Sequence, residues 1–206
     1  MRAAEQDRAD VAAARAAWPV DDEAGVGGLA PERLVFLDEC GVRTGMARLY
    51  GRGPRGERAR GAVPHGSWTR LSVLGALGRE GMLAAMSVEG AASGVVFHAY
   101  LERVLLPERR RVEPDAVLVM DSLSAHKAEP VRELLAASGL AYRNLPRHSP
   151  DLNPIEPAWA KVKSLLRKAA ARTVDGLHAA LGPALDTITA QDARGFFRHA
   201  GYDCPN

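Results

Sequence analysis

Three acidic residues stand where predicted elements of secondary structure end or begin. Asp38 closes the apolar run LVFLD, Asp121 closes the run AVLVMD, and Glu156 lies between Pro154 and Pro157 at the start of a predicted helix. Taken singly, an aspartate after a strand is more often a turn former or helix cap, and a glutamate in a first helical turn complements the helix dipole. Three such acids together predict a shared site, because neighbouring carboxylates repel one another and need a cation.

Such a site favours divalent-metal chemistry on phosphate esters. Carboxylates without Cys or His ligands suit Mg²⁺ or Mn²⁺, and two such ions can activate a water or hydroxyl and stabilise the leaving oxygen of a phosphodiester. The prolines beside Glu156 are tolerated in a first helical turn and make the backbone rigid, which suits this geometry. We therefore predict that Asp38, Asp121 and Glu156 are catalytic and metal-binding. Glu39 would point to the opposite face of an extended strand and is left out.

The strands that must position these acids follow from the hydrophobic pattern. Residues 33–39 and 115–121 are continuous apolar runs, which are typical of buried strands. ARLYG, TRLSVLGAL and GMLAAMSVEG have Gly-rich connections and predict antiparallel strands, although the last two could also be helical. LAYRNL predicts a further strand. Hairpin strands followed by alternating helices and strands predict an α/β fold, with a mixed sheet flanked by helices.

Helices are predicted where apolar residues recur at helical spacing or where capping residues bound a segment. These segments are residues 94–108, KAEPVRELLAASG up to Gly139, Pro154 to about Ala171, and a pair of short helices over 174–199. Residues 1–18 could form one more helix, and the Pro- and Gly-rich stretch after it resembles a linker. We therefore divide the chain into an N-terminal helix and linker, 1–30, and one domain, 31–206.

The charges are nearly balanced overall but unevenly distributed. The 206 residues include 27 Lys and Arg against 25 Asp and Glu, which gives a net charge of +2. Basic residues concentrate in 48–61, 107–111 and 161–172, and each cluster could contact phosphates or be a solvated surface. Cys40 and Cys204 do not form a zinc or disulfide pattern. Without a signal peptide or a membrane-spanning stretch, the expected location is cytoplasmic, with no membrane contact.

Several basic side chains are candidates for binding DNA phosphates. Lys163 and Arg167 recur on the helical face of Glu156, although they could equally be a solvated face. His126 follows Asp121 by five residues and could orient a phosphate or a metal-bound water, or could be a packed or capping histidine. GRGPRG formally matches a dinucleotide-binding pattern, but no apolar helix follows, so we predict a basic hairpin facing DNA. The complete predicted set is Arg52, Arg55, Arg58, His126, Lys161, Lys163 and Arg167.

The segments LVFLDECG, VLVMDSLSAHK and LPRHSPDLNPIEPAWAKVK resemble the three signature blocks of the DDE transposases. The likeness is to the mariner-like superfamily in its bacterial branch, the six-thirty group of insertion sequences. That branch shows 34 residues between its second aspartate and its glutamate, as between Asp121 and Glu156 here. The resemblance covers roughly residues 31–202, and it places the acids of the family on Asp38, Asp121 and Glu156.

The resemblance implies a ribonuclease-H-like fold with a mixed five-stranded sheet, and a catalytic domain with two Mg²⁺ or Mn²⁺ ions. It also implies metal-dependent cleavage of DNA at element ends and transfer of the freed 3′-hydroxyl into target DNA. The expected partners are the terminal repeats, target DNA and a second copy of the chain. Relatives carry N-terminal helix-turn-helix modules, so we interpret residues 1–30 as a remnant of their connection, with a separate N-terminal DNA-binding polypeptide as a further expected partner. The protein would associate with the bacterial nucleoid when bound to DNA.

Two departures from the family pattern keep alternatives open. Ser122 stands where the family usually has Asn, and RHSPD replaces a more usual aromatic before the serine. One alternative is a relic that binds DNA but does not cut it. The other is a ribonuclease-H-like nuclease that acts outside transposition and cleaves without joining ends.

Overall fold

A computed structural model describes residues 4–48, 50–66, 68–108, 115–123, 126 and 128–202. The strands are β1 (Leu34–Arg43), β2 (Arg70–Gly78), β3 (Gly81–Glu89), β4 (Val117–Met120) and β5 (Ala141–Asn144). The helices are α1 (Ala9–Ala17), α2 (Gly94–Tyr100), α3 (Leu106–Glu108), α4 (Glu129–Ser138), α5 (Ile155–Ala169), α6 (Val174–Asp186) and α7 (Ala190–His199). None of the described helices is both long and apolar enough to cross a membrane.

The five strands form one mixed sheet in the order β3-β2-β1-β4-β5. The pairs β1–β2 and β2–β3 are antiparallel, whereas β1–β4 and β4–β5 are parallel. This arrangement confirms the predicted α/β class and the mixed five-stranded sheet. It follows from the chain order, because hairpin strands come first and the later strands return through helices.

Helices cover both faces of the sheet and divide the core into two layers. On one face, Phe36 and Val119 of the sheet pack with Trp159 of α5 and with side chains of α6 and α7. On the other face, Leu37 and Leu118 pack with side chains of α2 and α4. Consecutive residues of β1 therefore serve opposite layers, as the alternation of a strand requires.

The parallel register brings the ends of β1 and β4 together. Leu37 of β1 is paired with Met120 of β4, and Asp38 and Asp121 are the next residues in their chains. Because the two strands run in the same direction, both acids lie at the same edge of their pairing. In β2, Gly75 is paired with Asp38, and a Cβ on this glycine would come within 2.5 Å of the Trp159 ring. Glycine therefore leaves the space that the indole fills beneath the site.

The N-terminal segment packs directly on the rest of the chain. Val11 and Trp18 are buried, and Trp18 belongs to the core layer that contains α5. The Trp18 indole N–H donates a hydrogen bond to the Tyr202 hydroxyl at 3.0 Å. The segment between α1 and β1, interpreted as a linker from its composition, buries Val26 in the same layer.

The prediction of a strand at ARLYG is wrong for its described residues, because 47–48 and 50–51 have no regular structure. The described residues between β1 and β2 contain no strand, and this includes the predicted basic hairpin at 51–56. Glycines and a proline deprive this basic stretch of the apolar contacts that a strand needs. Arg109, Arg110 and Arg111 of one basic cluster, and Cys204, lie outside the described residues.

Candidate active site

Asp38, Asp121 and Glu156 line one cavity of about 440 Å³. The acids come from the interior of β1, the end of β4 and the first turn of α5. The loop between β5 and α5 supplies much of the remaining wall. The other lining residues are Ser122, Leu123, Leu145, Pro146, Arg147, His148, Ser149, Pro150 and Asn153.

Rigid backbone at the start of α5 sets the position of Glu156. Pro154 occupies the N-cap position of α5, and the Glu156 N–H donates to the Asn153 carbonyl at 3.1 Å. Pro157 falls in the first turn, where a missing N–H breaks no intrahelical bond. Asn153 is buried, and its side-chain N–H donates to the Asp38 carboxylate at 3.3 Å. The loop before α5 therefore fixes the positions of Asp38 and Glu156 relative to each other, because Asn153 bonds to Asp38 and to the backbone of Glu156.

The Asp38 carboxyl is in an environment that opposes its ionisation. Burial raises the pKa of Asp38 from 3.8 to about 7, and repulsion from Glu156 and Asp121 acts in the same direction. The backbone N–H of Glu39 donates to Asp38 at 2.7 Å and opposes the rise only in part. Both other acids therefore lie close enough to the Asp38 carboxyl to repel its charged form.

Asp121 is bonded on its other side to a buried histidine. The Nδ1 atom of His126 lies 2.7 Å from Oδ1 of Asp121, and its Nε2 atom lies 3.6 Å from Oε1 of Glu39. Burial opposes the charged imidazole, but the hydrogen bond to Asp121 and the nearby Glu39 carboxylate outweigh it and raise the pKa of His126 to about 9. The imidazole therefore lies between the two carboxylates, on the face of the sheet opposite Asp38.

The cavity has the donor chemistry of a divalent-metal site without a closed ligand set. Within the described part of the chain, no group of three or more Asp, Glu, His or Cys side chains is close enough to hold a metal ion. The three acids nevertheless offer only carboxylate oxygens, and their repulsion of one another would be offset by a hard cation. The residues fit Mg²⁺ or Mn²⁺ in kind, and a full ligand set would need the carboxylates to come closer together.

A basic groove of about 640 Å³ adjoins the same strand and helix as the acids. It is lined by five cationic side chains, which are Arg43, Arg48, Arg70, Lys163 and Arg167. None of the five has an ion-pair partner among the residues that the structure describes. Lys163 also acts electrostatically on Cys40, as do Asp38 and Glu156. Lys163 therefore places the groove next to the acidic cavity.

Five of the seven predicted DNA-contact residues lie in the basic groove or on the loop between β1 and β2. Lys163 and Arg167 line the basic groove, and Arg52, Arg55 and Arg58 are exposed on the loop between β1 and β2. For these five residues, DNA contact stays a prediction.

The two remaining members of the predicted set are already engaged within the protein. The Lys161 ammonium bonds to Asp192 at 2.7 Å and to the Thr187 carbonyl at 2.9 Å, which ties α5 to α7. The His126 side chain is fully buried, which agrees with its alternative interpretation as a packed histidine. DNA contact by His126 stays a prediction, and its burial gives that prediction no support.

Sequence reasoning missed two side chains that hold the acids. Asn153 contacts Asp38, and its position within SPDLNPIE could have drawn attention to it. Glu39 was placed correctly on the opposite face from Asp38, but its approach to His126 was not foreseen. That contact depends on how the chain after β4 folds back towards β1, which no local pattern reveals.

The sequence profile of the family described as DDE superfamily endonuclease matches residues 33–178. This range contains all three acids of the cavity. Among curated proteins, no sequence matches this chain.

Solved structures of the Mos1 transposase are similar to this chain in fold. The Mos1 transposase paired-end complex with left transposon end has a TM-score of 0.66 at 16% identity, covering 82% of this chain and 52% of that chain. The Mos1 strand transfer complex has a TM-score of 0.64 at 17% identity, covering 82% of this chain and 52% of that chain. The Mos1 transposase catalytic domain with raltegravir and Mg has a TM-score of 0.62 at 14% identity, covering 82% of this chain and 79% of that chain. The likeness confirms the predicted ribonuclease-H-like fold, and the chain spans about half the length of the Mos1 chains in the DNA complexes.

Proposed function

Because the chain belongs to the DDE superfamily endonuclease family, we propose that it is the catalytic part of an insertion-sequence transposase. It cleaves DNA at the ends of its element and joins the freed 3′-hydroxyl to target DNA. The assignment to the bacterial, six-thirty branch rests on the three sequence blocks and their spacing. The observation that carries the proposal is the meeting of Asp38, Asp121 and Glu156 in one cavity.

Asp38, Asp121 and Glu156 are the residues that would hold Mg²⁺ or Mn²⁺, in the proposal two ions. Bound there, such ions make an attacking oxygen more nucleophilic and neutralise charge on the leaving oxygen. Mos1 catalytic domain structures with Mg and with Mn support this choice of metals. Asn153 contributes by fixing the Asp38 carboxylate, and the prolines beside Glu156 limit its movement.

The basic groove supplies the surface along which the DNA backbone would lie. Lys163 and Arg167 follow Glu156 by 7 and 11 residues, so they share its helical face. With a rise of about 1.5 Å per residue, the two cations lie about 10 and 16 Å along α5 from Glu156. Phosphates held by these side chains would orient the next phosphodiester towards the acids.

The proposed partners are the terminal repeats of the element, the target DNA and a second copy of this chain. Structures of Mos1 transposase with a transposon end and in a strand transfer complex support DNA as the partner. Two DNA ends must be brought together for joining to one target, which favours a homodimer. A separate N-terminal DNA-binding polypeptide and a cytoplasmic, nucleoid-associated location belong to the same proposal.

A second candidate is a relic that binds DNA without cutting it. The observation that favours it is the absence of a closed metal-ligand group among the described residues. Ser122 gives this candidate less support than its departure from the family pattern suggests. Its hydroxyl donates to the Leu145 carbonyl at 3.2 Å and so joins the ends of β4 and β5.

The experiment is nicking of DNA that carries the element ends, with Mg²⁺ or Mn²⁺, by the wild type and its Glu156→Ala variant. We expect nicking by the wild type and none by Glu156→Ala, and the same loss for Asp38→Ala and Asp121→Ala. Each variant should stay folded, because the loss of one carboxylate relieves the repulsion between Asp38 and its acidic neighbours. Circular dichroism and thermal melting check the fold.

Asp175→Ala is the matched control, because Asp175 is an exposed acid in the first turn of α6 and lies outside the cavity. It should leave nicking unchanged. Nicking by Glu156→Ala at the wild-type rate would show that Glu156 only complements the helix dipole. No nicking by the folded wild type would favour the relic, and cleavage without joining would favour a nuclease outside transposition.

A further inference from the structure

Among the described residues, His126 is a buried polar side chain beside the site to which the proposed reaction gives no role. Its side chain is fully buried, and its ring lies over Phe97 with 4.1 Å between the ring centroids. Phe97 belongs to α2, on the face of the sheet that does not carry α5. The imidazole therefore reaches Asp121 from behind the cavity, where it is separated from solvent.

The contacts of His126 fix one oxygen of Asp121. Oδ1 of Asp121 accepts from the backbone N–H of Leu123 at 3.1 Å and lies 2.7 Å from Nδ1 of His126. Two donors from different directions determine the rotation of a carboxylate better than one does. Both contacts use Oδ1, so Oδ2 is not needed for either of them and can serve the cavity.

Glu39 completes the arrangement from the neighbouring strand. Its Oε1 atom lies 3.6 Å from Nε2 of His126, which is an ion-pair distance and too long for a hydrogen bond. Nε2 is buried and has no hydrogen-bond partner within the described residues. An apolar side chain would fill the same space beside Phe97 without burying a polar nitrogen, so packing alone does not account for a histidine here.

We propose that His126, supported by Glu39, is a positioning residue that holds the Asp121 carboxylate in the orientation required for divalent-metal binding. This inference rests on the proposed function. It links the two aspartates through β1, because Asp38 faces the cavity while the adjacent Glu39 faces His126 on the other side of the sheet. Hydrogen-bonded partners of this kind typically change metal affinity by about 10–100-fold when removed.

The test compares His126→Phe with His126→Asn. Phenylalanine keeps a ring beside Phe97 but removes the donor to Asp121, whereas asparagine offers an N–H near the position of Nδ1. Mn²⁺ binding is measured by the loss of the free-ion electron paramagnetic resonance signal, alongside thermal melting and the Mn²⁺ dependence of nicking. We expect His126→Phe to bind Mn²⁺ about 10–100-fold more weakly, with nicking restored at high Mn²⁺, and His126→Asn to approach the wild type.

Two further variants complete the design. Glu39→Gln should weaken Mn²⁺ binding less than His126→Phe, since it removes a charge but not the donor to Asp121. His178→Phe, which changes an exposed histidine bonded to Ser87, should alter neither Mn²⁺ binding nor nicking.

Equal Mn²⁺ affinity in the wild type and His126→Phe would overturn the inference. So would an equal loss of affinity in His126→Phe and His126→Asn that follows their melting temperatures, because that result describes packing alone. Asp38→Ala separates the inference from the proposed function. If Asp38→Ala binds Mn²⁺ as the wild type does, the metal site itself is wrong and the role of His126 falls with it.

Discussion

At the scale of single residues, Asp38 combines deep burial with two acidic neighbours. Its pKa of about 7 lies above the value of 3.8 that it has when exposed, chiefly because of burial. A raised pKa means that the folded protein binds the proton more tightly than the unfolded chain does. The contribution of Asp38 to the stability of the fold is therefore most favourable below about pH 4, and it becomes less favourable as pH rises towards 7.

We predict that Asp38→Asn removes this loss of stability. At pH 8 without divalent metal, the variant should unfold at a higher urea concentration than the wild type. Its free energy of unfolding should be larger by up to about 4 kcal/mol. Near pH 4 the two proteins should differ little, because the wild-type carboxyl is then protonated in the folded state. Urea unfolding in the presence of a chelator at pH 4, 6 and 8 measures the difference.

Asp192→Asn provides a control of opposite sign. Hydrogen bonds from Lys161 and Thr189 lower the pKa of Asp192 to about 2, so its stabilising effect is present above about pH 4 and is lost as pH falls towards 2. This variant should be less stable than the wild type at pH 8. Unfolding curves of Asp38→Asn and wild type that differ by the same amount at every pH would contradict the account of Asp38.

At the scale of elements, the N-terminal segment supports the loop between β5 and α5. Gln6 donates to the His148 carbonyl at 2.7 Å, and Arg15 donates two hydrogen bonds to the Asp151 carboxylate at 2.9 and 2.6 Å. His148 has a left-handed backbone with φ of 57°, which costs a non-glycine residue on the order of 1 kcal/mol. Contacts with the N-terminal segment offset this strain in a loop that lines the acidic cavity.

Tyr202 links the end of the described chain to the N-terminal segment and to the loop before α5. Its hydroxyl accepts from Trp18 and donates to the Leu152 carbonyl at 2.7 Å. We predict that Tyr202→Phe lowers the free energy of unfolding by about 1–3 kcal/mol, because it leaves a buried indole N–H and a carbonyl without a partner. Urea unfolding measures this, and Tyr50→Phe is the control, since Tyr50 is 90% exposed and should change nothing. Equal stability of Tyr202→Phe and wild type would mean that the hydrogen bonds of Tyr202 with Trp18 and Leu152 do not stabilise the fold.

At the scale of the whole molecule, function depends on where charge gathers, because the net charge is only +2. The sheet carries the acidic cavity, and the end of β1 together with α5 carries the basic groove beside it. A nearly neutral protein with this separation attracts phosphate to one surface without attracting polyanions everywhere. Burial also keeps Cys40, between the two regions, as a neutral thiol, since it raises the pKa of Cys40 to about 12.

We predict that Lys163→Ala and Arg167→Ala each weaken DNA binding across sequences. Each should also reduce the slope of log affinity against log salt concentration by about 1, because one phosphate contact is lost. Fluorescence anisotropy with a labelled duplex at several salt concentrations measures both quantities.

Lys161→Ala is the matched control on the same helix. Its ammonium is bonded to Asp192 and Thr187, so the variant should lose stability and keep the wild-type affinity for DNA. A loss of affinity in Lys161→Ala as large as in Lys163→Ala would show that DNA binding depends on the general charge of α5 and not on the groove.

The sequence by itself determined most of the elements and selected the three acids as candidates. Apolar runs predicted β1 and β4, and Gly139 marked the end of α4. Gly-rich connections favoured strands at β2 and β3, although helices were the open alternative there. Asp38, Asp121 and Glu156 could be selected because they end or begin such elements, and parallel pairing then brings strand ends together. These features are local in the chain, so hydrophobic spacing and turn chemistry are sufficient to predict them.

Only the tertiary structure decided which charged side chains bond to other residues of the protein and which line the groove. Lys161 and Lys163 are two residues apart in a basic helix, yet one meets Asp192 and the other lines the groove. His126 could have faced solvent or the core, and its burial against Phe97 and Glu39 settled the matter. The physical reason is that desolvation and pairing depend on residues that are distant in sequence, whose approach no local pattern specifies.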